Sequence, residues 1–306
     1  MVKIEDVKKL REITGAGMMD CKKALSESDG DADLAVEWLR KKGISQAAKK
    51  NSRTASDGLL GVLVEDSGAA IIEVNSETDF VARNEQFQNL VRTVLDNAIN
   101  CKNNIDDLNS SALPNGQKVS DYIVESIGSL GENIVIRRVS TFNNSDCYIS
   151  SYIHNAIDAN LGKIAVLVKF KVSKVTEDVK QIGRQIAMHI AASRPVSVNS
   201  NDVPAELVQK EREIFSEQAK ASGKPDNIIE KMVEGRIRKY FEEVVLLDQV
   251  FVIDGKTKIS EAVANFNKSN NSDIEVIEFI RYELGEGIDK EESNFAEEVS
   301  SMSAGS

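Results

Sequence analysis

The sequence is short of the residues that most chemistry needs. Its 306 residues hold only 2 His, 3 Cys, 4 Pro and 1 Trp. The histidines, His154 and His189, lie far apart and cannot build a His-rich metal site alone. Cys21, Cys101 and Cys147 are odd in number, widely spaced and never C-x-x-C, which argues against a disulfide framework or zinc ribbon and for a reducing cytoplasm. No run approaches the ~18 apolar residues needed to span a bilayer. The first eleven residues mix Lys3, Glu5, Asp6, Lys8 and Lys9 through isolated apolar positions, so neither a signal peptide nor a transit segment is expected. Basic charge is also lacking: 38 Lys+Arg against 49 Asp+Glu leave a net charge of −11. Neutralising phosphates requires clustered Lys and Arg, so no direct nucleic-acid partner is expected. The chain reads as soluble, cytoplasmic and without cofactor or metal.

What is present is amphipathic periodicity, at a length that suits two or three domains. Ile4, Val7, Leu10 and their neighbours form a first helical stripe, stopped at Gly15-Ala16-Gly17. A second helix is expected over about Met18–Ser26, and a third over about Ala32–Lys42, ended by Gly43. The basic, aperiodic stretch Ala47–Arg53 reads as a linker. From Gly58 the period changes. Leu60–Val64 and Ala69–Val74 predict a hairpin, the spacing of Phe87, Leu90, Val91, Val94, Leu95 and Ala98 predicts a helix, a further helix falls near Val119–Ser126, and Asn133–Val139 is strand-like.

The same order recurs. Tyr148–Ile153 and Lys163–Val172 predict a second hairpin, Ile182, Ile186, His189 and Ile190 a second long helix, and Ile274–Tyr282 a last strand. Two hairpin–helix–strand units imply an α+β fold rather than a doubly wound parallel sheet. Between the second helix and the last strand lie two more helical stripes. One runs from Pro204 to about Ala221; the other follows the turn Ser222–Asp226, with Asp226 as a candidate N-cap, and uses Ile229, Met232, Val233, Ile237, Tyr240 and Phe241. So short a turn predicts an antiparallel helical hairpin about 25 Å long. It either projects to meet a partner or packs on the chain's own core.

The motifs exclude more than they assign. Gly15-Ala16-Gly17 has no preceding strand, and Gly285-Glu286-Gly287 lacks Lys-Ser/Thr, so neither fits a dinucleotide or P-loop fingerprint. His189 lies on an apolar helix stripe and reads as a core or interface histidine; His154 ends a strand among polar, turn-like neighbours. Neither has a nucleophile motif beside it. The strongest local signal is Glu73–Asn84, a strand-to-helix corner. Ser76-x-x-Asp79 has capping-box spacing, which accounts for Ser76, Thr78 and Asp79 as helix-start residues. It leaves Phe80 unexplained. A Phe at such a corner either tucks into its own core, which the pattern favours, or stands out as a wedge.

Leu10–Leu25, with its core Thr14-Gly15-Ala16-Gly17-Met18-Met19-Asp20-Cys21, resembles the N-terminal signature of the bacterial translation elongation factor Ts family. Glu73–Asn84 resembles the family's second signature, with its Thr78-Asp79-Phe80-Val81 element. The likeness continues through Gly131–Arg138, Ile186–Ala192, Ser222–Pro225, Lys231–Arg236 and Phe279–Gly287. It implies a ubiquitin-associated-like three-helix domain with its linker over 1–52 and a core subdomain over 53–142. A second, related subdomain would take 143–202 and 246–285, with a coiled-coil helical hairpin inserted over 203–245. A C-terminal module would take 286–306, with Phe295, Val299 and Met302 as its stripe.

The resemblance also implies a function. Members promote nucleotide exchange on the GTPase elongation factor Tu and are not enzymes in the bond-making sense. Thr78, Asp79, Phe80 and Val81 would form the element that disturbs the partner's Mg²⁺ site, with Phe80 inserted near its phosphate loops, which reverses the pattern's preference for a core Phe. Met18 and Met19 would contact the partner's G domain, and His154 would face the partner away from the nucleotide. The helical hairpin would be a candidate homodimer contact. An alternative from another class is a non-enzymatic binding adaptor that works through its N-terminal module, with Trp38, Met18 and Met19 as the recognition patch.

Overall fold

The computed structural model describes residues 2–14, 16–143, 147–221 and 225–288. The expected C-terminal module stripe Phe295, Val299 and Met302, and Ser222–Lys224 of the hairpin turn, lie outside the described residues.

Three helices open the chain: α1 (Ile4–Thr14), α2 (Met18–Glu27) and α3 (Ala32–Lys50). Their apolar stripes meet in a small core of Val7, Leu10, Cys21, Ala24, Leu25 and Ala35. Asp31 caps α3 by accepting the Leu34 N–H at 3.0 Å. The expected stop at Gly43 does not occur: α3 continues to Lys50 through the segment read as a linker. Ala47 to Lys50 are good helix formers, and Ala47 is buried in the neighbouring core.

Then follow β1 (Asp57–Glu65), β2 (Gly68–Ser76), α4 (Asp79–Ala82), α5 (Glu85–Ala98), α6 (Ile105–Ser110), α7 (Val119–Leu130) and β3 (Ile134–Asn143). The helix α3 crosses α7 at Gly43: a Cβ on Gly128 would stand 3.2 Å from the Gly43 Cα. The absent Gly128 side chain lets the two helices touch, whereas a Cβ on Gly43 would make only an ordinary 3.9 Å contact with the Val124 carbonyl oxygen. After β3 come β4 (Tyr148–His154), β5 (Leu161–Gly162), β6 (Ile164–Lys171), α8 (Glu177–Ser193), α9 (Ala205–Lys220), α10 (Asp226–Val244), α11 (Ile259–Asn270) and β7 (Glu275–Glu283). Asp226 is the first residue of α10 rather than its cap; Pro225 precedes the helix and supplies no side-chain acceptor.

The strands form two antiparallel sheets, ordered β3-β2-β1-β5 and β4-β6-β7. In each, the second strand of a hairpin lies at the centre and a later strand pairs on its far side. Each also carries a register shift in that last pairing, between Glu73 and Val74 and between Lys169 and Phe170. The class is α+β, mixed helix and antiparallel sheet. One face of the first sheet (Leu59, Ala70, Ile72, Val74) packs with Phe87, Leu90 and Val94 of α5 and with Ile123 and Ile127 of α7. Its other face (Leu60, Val62, Ala69, Ile71) packs on Ile149, Ala165 and Leu167 of the second sheet. The second sheet turns Val166, Val168 and Phe170 to α8. Helices, sheet, sheet and helices thus make four layers, and β2 is buried along its whole length.

The helices α9 and α10 close on each other through Ala219, Ile229, Val233 and Ile237. Their base is tied to α8 by a buried polar network. Gln249 donates its amide to the carbonyls of Ser193 (3.2 Å) and Glu243 (2.6 Å), so its oxygen accepts from His189 Nε2 at 2.8 Å. His189 Nδ1 in turn accepts the Val252 N–H at 3.3 Å. This wiring requires a neutral imidazole, and burial pushes the His189 pKa below its ordinary value, offset in part by the Gln249 hydrogen bond. A pKa lowered on folding means that the unfolded chain binds the proton more readily. Stability is therefore fully present above about pH 6.5 and falls as the pH drops below it. Urea unfolding at about pH 5.5 should show a loss of up to about 1.4 kcal/mol relative to neutral pH, and His189→Gln should remove that slope.

Candidate functional site

The corner after β2 is where the chain turns a large apolar side chain to water. The strand ends at Ser76, whose hydroxyl donates to the Thr78 carbonyl at 3.0 Å. Thr78, extended at φ −129° and ψ 158°, starts the single turn of α4, and Asn84 then caps α5 by accepting the Gln86 N–H at 2.8 Å. Val81 and Ala82 point inward and are buried with the α5 and α7 core. Phe80, between them and Asp79, is 79% exposed. The outward placement implied by the resemblance is the one found, and the pattern's preference for a core Phe is overturned. The inward positions of this short turn go to Val81 and Ala82 instead.

The capping box also fails. Asp79 accepts from Arg83 Nη2 at 2.8 Å, an exposed i,i+4 pair, and does not return to the chain ahead of the helix. Such a pair contributes only a few tenths of a kcal/mol, about 0.3–0.5. The stronger hold on the corner comes from a distant loop. Glu132 takes both Thr78 donors, the backbone N–H at 3.0 Å and the hydroxyl at 2.6 Å. In return, Glu77 accepts the Asn133 N–H at 2.6 Å, and Asn133 Nδ2 donates to the Arg53 carbonyl at 2.8 Å. Gly131, at φ +84°, makes the left-handed end of α7 that turns the chain into this loop.

The other predicted site residues sit on separate elements. Met18 and Met19 begin α2; Met18 packs partly against the three-helix core, whereas Met19 is 75% exposed. His154 ends β4, exposed, with the Tyr152 hydroxyl 3.2 Å from its Nδ1. The loop after it is pinned to α5, since Arg92 Nε donates to Asp158 at 3.0 Å. The helix α7 links two of these places: its body meets α3 at Gly128, and its end delivers Glu132 to Thr78. Among the described residues, no group of three or more His, Cys, Asp or Glu could hold a metal, and no helix is long and apolar enough to cross a membrane. The arrangement presents exposed apolar side chains, Phe80 and Met19, beside neighbours that are buried or half-buried.

The family model described as Elongation factor TS matches residues 77–286, opening at the corner itself. The chain is 49% identical over 305 residues to an Elongation factor Ts of Rickettsia bellii, covering 99% of this chain and 98% of the relative. It is 50% identical over 298 residues to that of Rhodospirillum rubrum, covering 97% and 96%. The chain belongs to the elongation factor Ts family. Membership places it among the translation elongation factors. Within this elongation factor Ts chain, sequence reasoning found the residues of the corner but missed Glu132 and Glu77 as its supports. Glu132 was visible only as part of the Gly131–Arg138 likeness, because a contact across 54 residues leaves no local periodicity.

Phe80 and Val81 are neighbours with opposite surroundings, so their substitutions should differ. Phe80→Ala should change the unfolding free energy by less than about 0.5 kcal/mol. Val81→Ala, which empties a buried site, should cost about 1–3 kcal/mol. Paired urea titrations read both values.

Proposed function

We propose that the chain promotes guanine-nucleotide exchange on elongation factor Tu, and that Phe80 is the group that disturbs the partner's phosphate and Mg²⁺ site, with Thr78, Asp79 and Val81 forming its mount. The observation that carries this reading is the 79% exposure of Phe80 on a turn anchored by buried Val81 and Ala82. An apolar ring held in water is unfavourable in the isolated chain and gains on entering a partner.

The physics requires no bond-making group. A GTPase holds GDP through backbone N–H groups around the phosphates and a bridging Mg²⁺. A protein that binds the nucleotide-free state more tightly weakens nucleotide binding by the same factor, since coupling is reciprocal. Each tenfold gain in release rate takes about 1.4 kcal/mol off the barrier. A ~10⁴-fold gain needs roughly 5–6 kcal/mol, of which one buried aromatic anchor supplies about 2–4 kcal/mol and a displaced metal contact the rest.

The remaining roles in this reading are contact surfaces. Residues 1–52 act as a ubiquitin-associated-like module whose Met19, 75% exposed, meets the partner's G domain, with Met18 bracing it from the core side. His154, exposed at the end of β4, faces the partner on the second subdomain, 143–202 with 246–285. The first subdomain, 53–142, carries the corner. The hairpin 203–245 serves as a homodimer contact; Leu207, Ile214 and Ile228, each partly exposed, support that role. The factor works in the cytoplasm, without cofactor and without touching nucleic acid.

A second reading, a binding adaptor, draws on the exposure of Ile4, Ile13, Met19 and Leu34 across the first three helices. It requires residues 1–52 alone to retain most partner binding in a pull-down. On the exchange reading, Phe80→Ala slows stimulated release of a fluorescent GDP in stopped flow by about 30-fold or more at unchanged fold. Unchanged release sinks it.

A further inference from the structure

We propose that Glu132 is a positioning residue for the exchange element, acting on Phe80 through Thr78; this rests on the exchange reading above. A turn of four residues is too short to hold itself, since helix formation carries a costly nucleus. In α4 the side chain at the N-cap does not help: Thr78 makes no side-chain cap bond. Its hydroxyl and its N–H instead both turn to one carboxylate, at 2.6 and 3.0 Å. A charged acceptor taking two donors of one residue fixes that residue in position and orientation. Thr78 is two residues from Phe80, so its orientation sets the direction in which the ring leaves the surface.

The clamp is built from both sides. Glu77 takes the Asn133 N–H at 2.6 Å, so residues 77–78 and 132–133 hold each other by reciprocal carboxylate-to-donor contacts. Ionic support is modest, because Arg53 lies 3.4 Å from Glu77 and is itself more than half exposed. Glu132 is the acceptor that meets the chain nearest to Phe80. Without it the corner keeps Val81 and Ala82 buried, and the chain remains folded, but Thr78 loses the acceptor of both its donors and is held only by the Ser76 hydroxyl at its carbonyl. Phe80 then spends part of its time misdirected, and exchange falls in proportion to the fraction that remains competent.

The test is stimulated release of a fluorescent GDP from elongation factor Tu, with the full chain, in single and double variants. Glu132→Ala should slow maximal release about tenfold, as for a competent fraction near one tenth. Glu132→Gln, which keeps one acceptor, should lose less. Thr78→Val, which removes the hydroxyl alone, should also slow release, and adding Glu132→Ala to it should cost less than the two losses combined. In a Phe80→Ala background, Glu132→Ala should have no further effect. If Phe80→Ala slows release while Glu132→Ala and Thr78→Val do not, the positioning role is overturned and the exchange reading stands. The positioning role is also overturned if the Glu132→Ala loss persists in full beside Phe80→Ala or Thr78→Val, which would make Glu132 a direct contact. If Phe80→Ala itself changes nothing, the exchange reading fails first. Thermal unfolding of every variant separates these outcomes from loss of fold, and Thr78→Val keeps the question decidable should Glu132→Ala unfold.

Discussion

Everything in this molecule hangs on the face-to-face packing of its two sheets. With α5 and α7 on one side and the second sheet on the other, β2 is buried at every position. A strand covered on both faces is apolar on both, and β2 is, save for Glu73 and the polar end Asn75-Ser76. The register shift in the β2–β3 pairing sets two residues of β3 against one, which brings consecutive side chains to the same place. Arg137 and Arg138 both reach Glu73, and the Gly285 N–H donates to it at 2.8 Å. An unpaired carboxylate there would cost several kcal/mol, so this cluster is the condition on which the strand stays buried. The strand then runs straight into Ser76 and the corner that carries Phe80.

The exposed ring therefore stands on the most enclosed strand of the fold. On the exchange reading, that placement seats the exposed ring on backbone held by buried neighbours on both faces. The helix α7 extends this frame. It meets α3 at Gly43 and Gly128 and ends beside Thr78, so the first three helices and the corner share one support. The His189 and Gln249 network does the same for the helical hairpin, tying its base to α8 with hydrogen bonds that only a neutral imidazole completes.

Much of this was legible in the residues. The stripe from Phe87 to Ala98 marked α5, and the run from Leu60 to Val74 marked the first hairpin with its turn. The apolar neighbours of His189 mark it as a core or interface histidine, and it is buried. The errors have physical causes. Gly43 reads as the residue just past a helix end, where glycine is common, yet α3 runs on to Lys50 because the following residues are good helix formers and Ala47 is buried in the neighbouring core. Ser76 and Asp79 have the spacing of a capping box, but Arg83 is a charged partner one turn away and takes Asp79. The spacing of Ile259, Ala262, Val263 and Phe266 carried the signal of α11, which was passed over.

The sequence by itself determined the periodic elements, their order, the repeated hairpin–helix–strand plan and, through its two signatures, the family. These are local properties, because a repeat of two or of three to four residues is written along the chain wherever one face is buried. The tertiary structure alone decided what covers each face, that the sheets stack on one another, that Phe80 points outward while Val81 points in, and that Glu132 holds Thr78. A continuous apolar run records only that both faces are covered, not by what. A hydrogen bond between residues 54 apart exists only once the fold has brought them together.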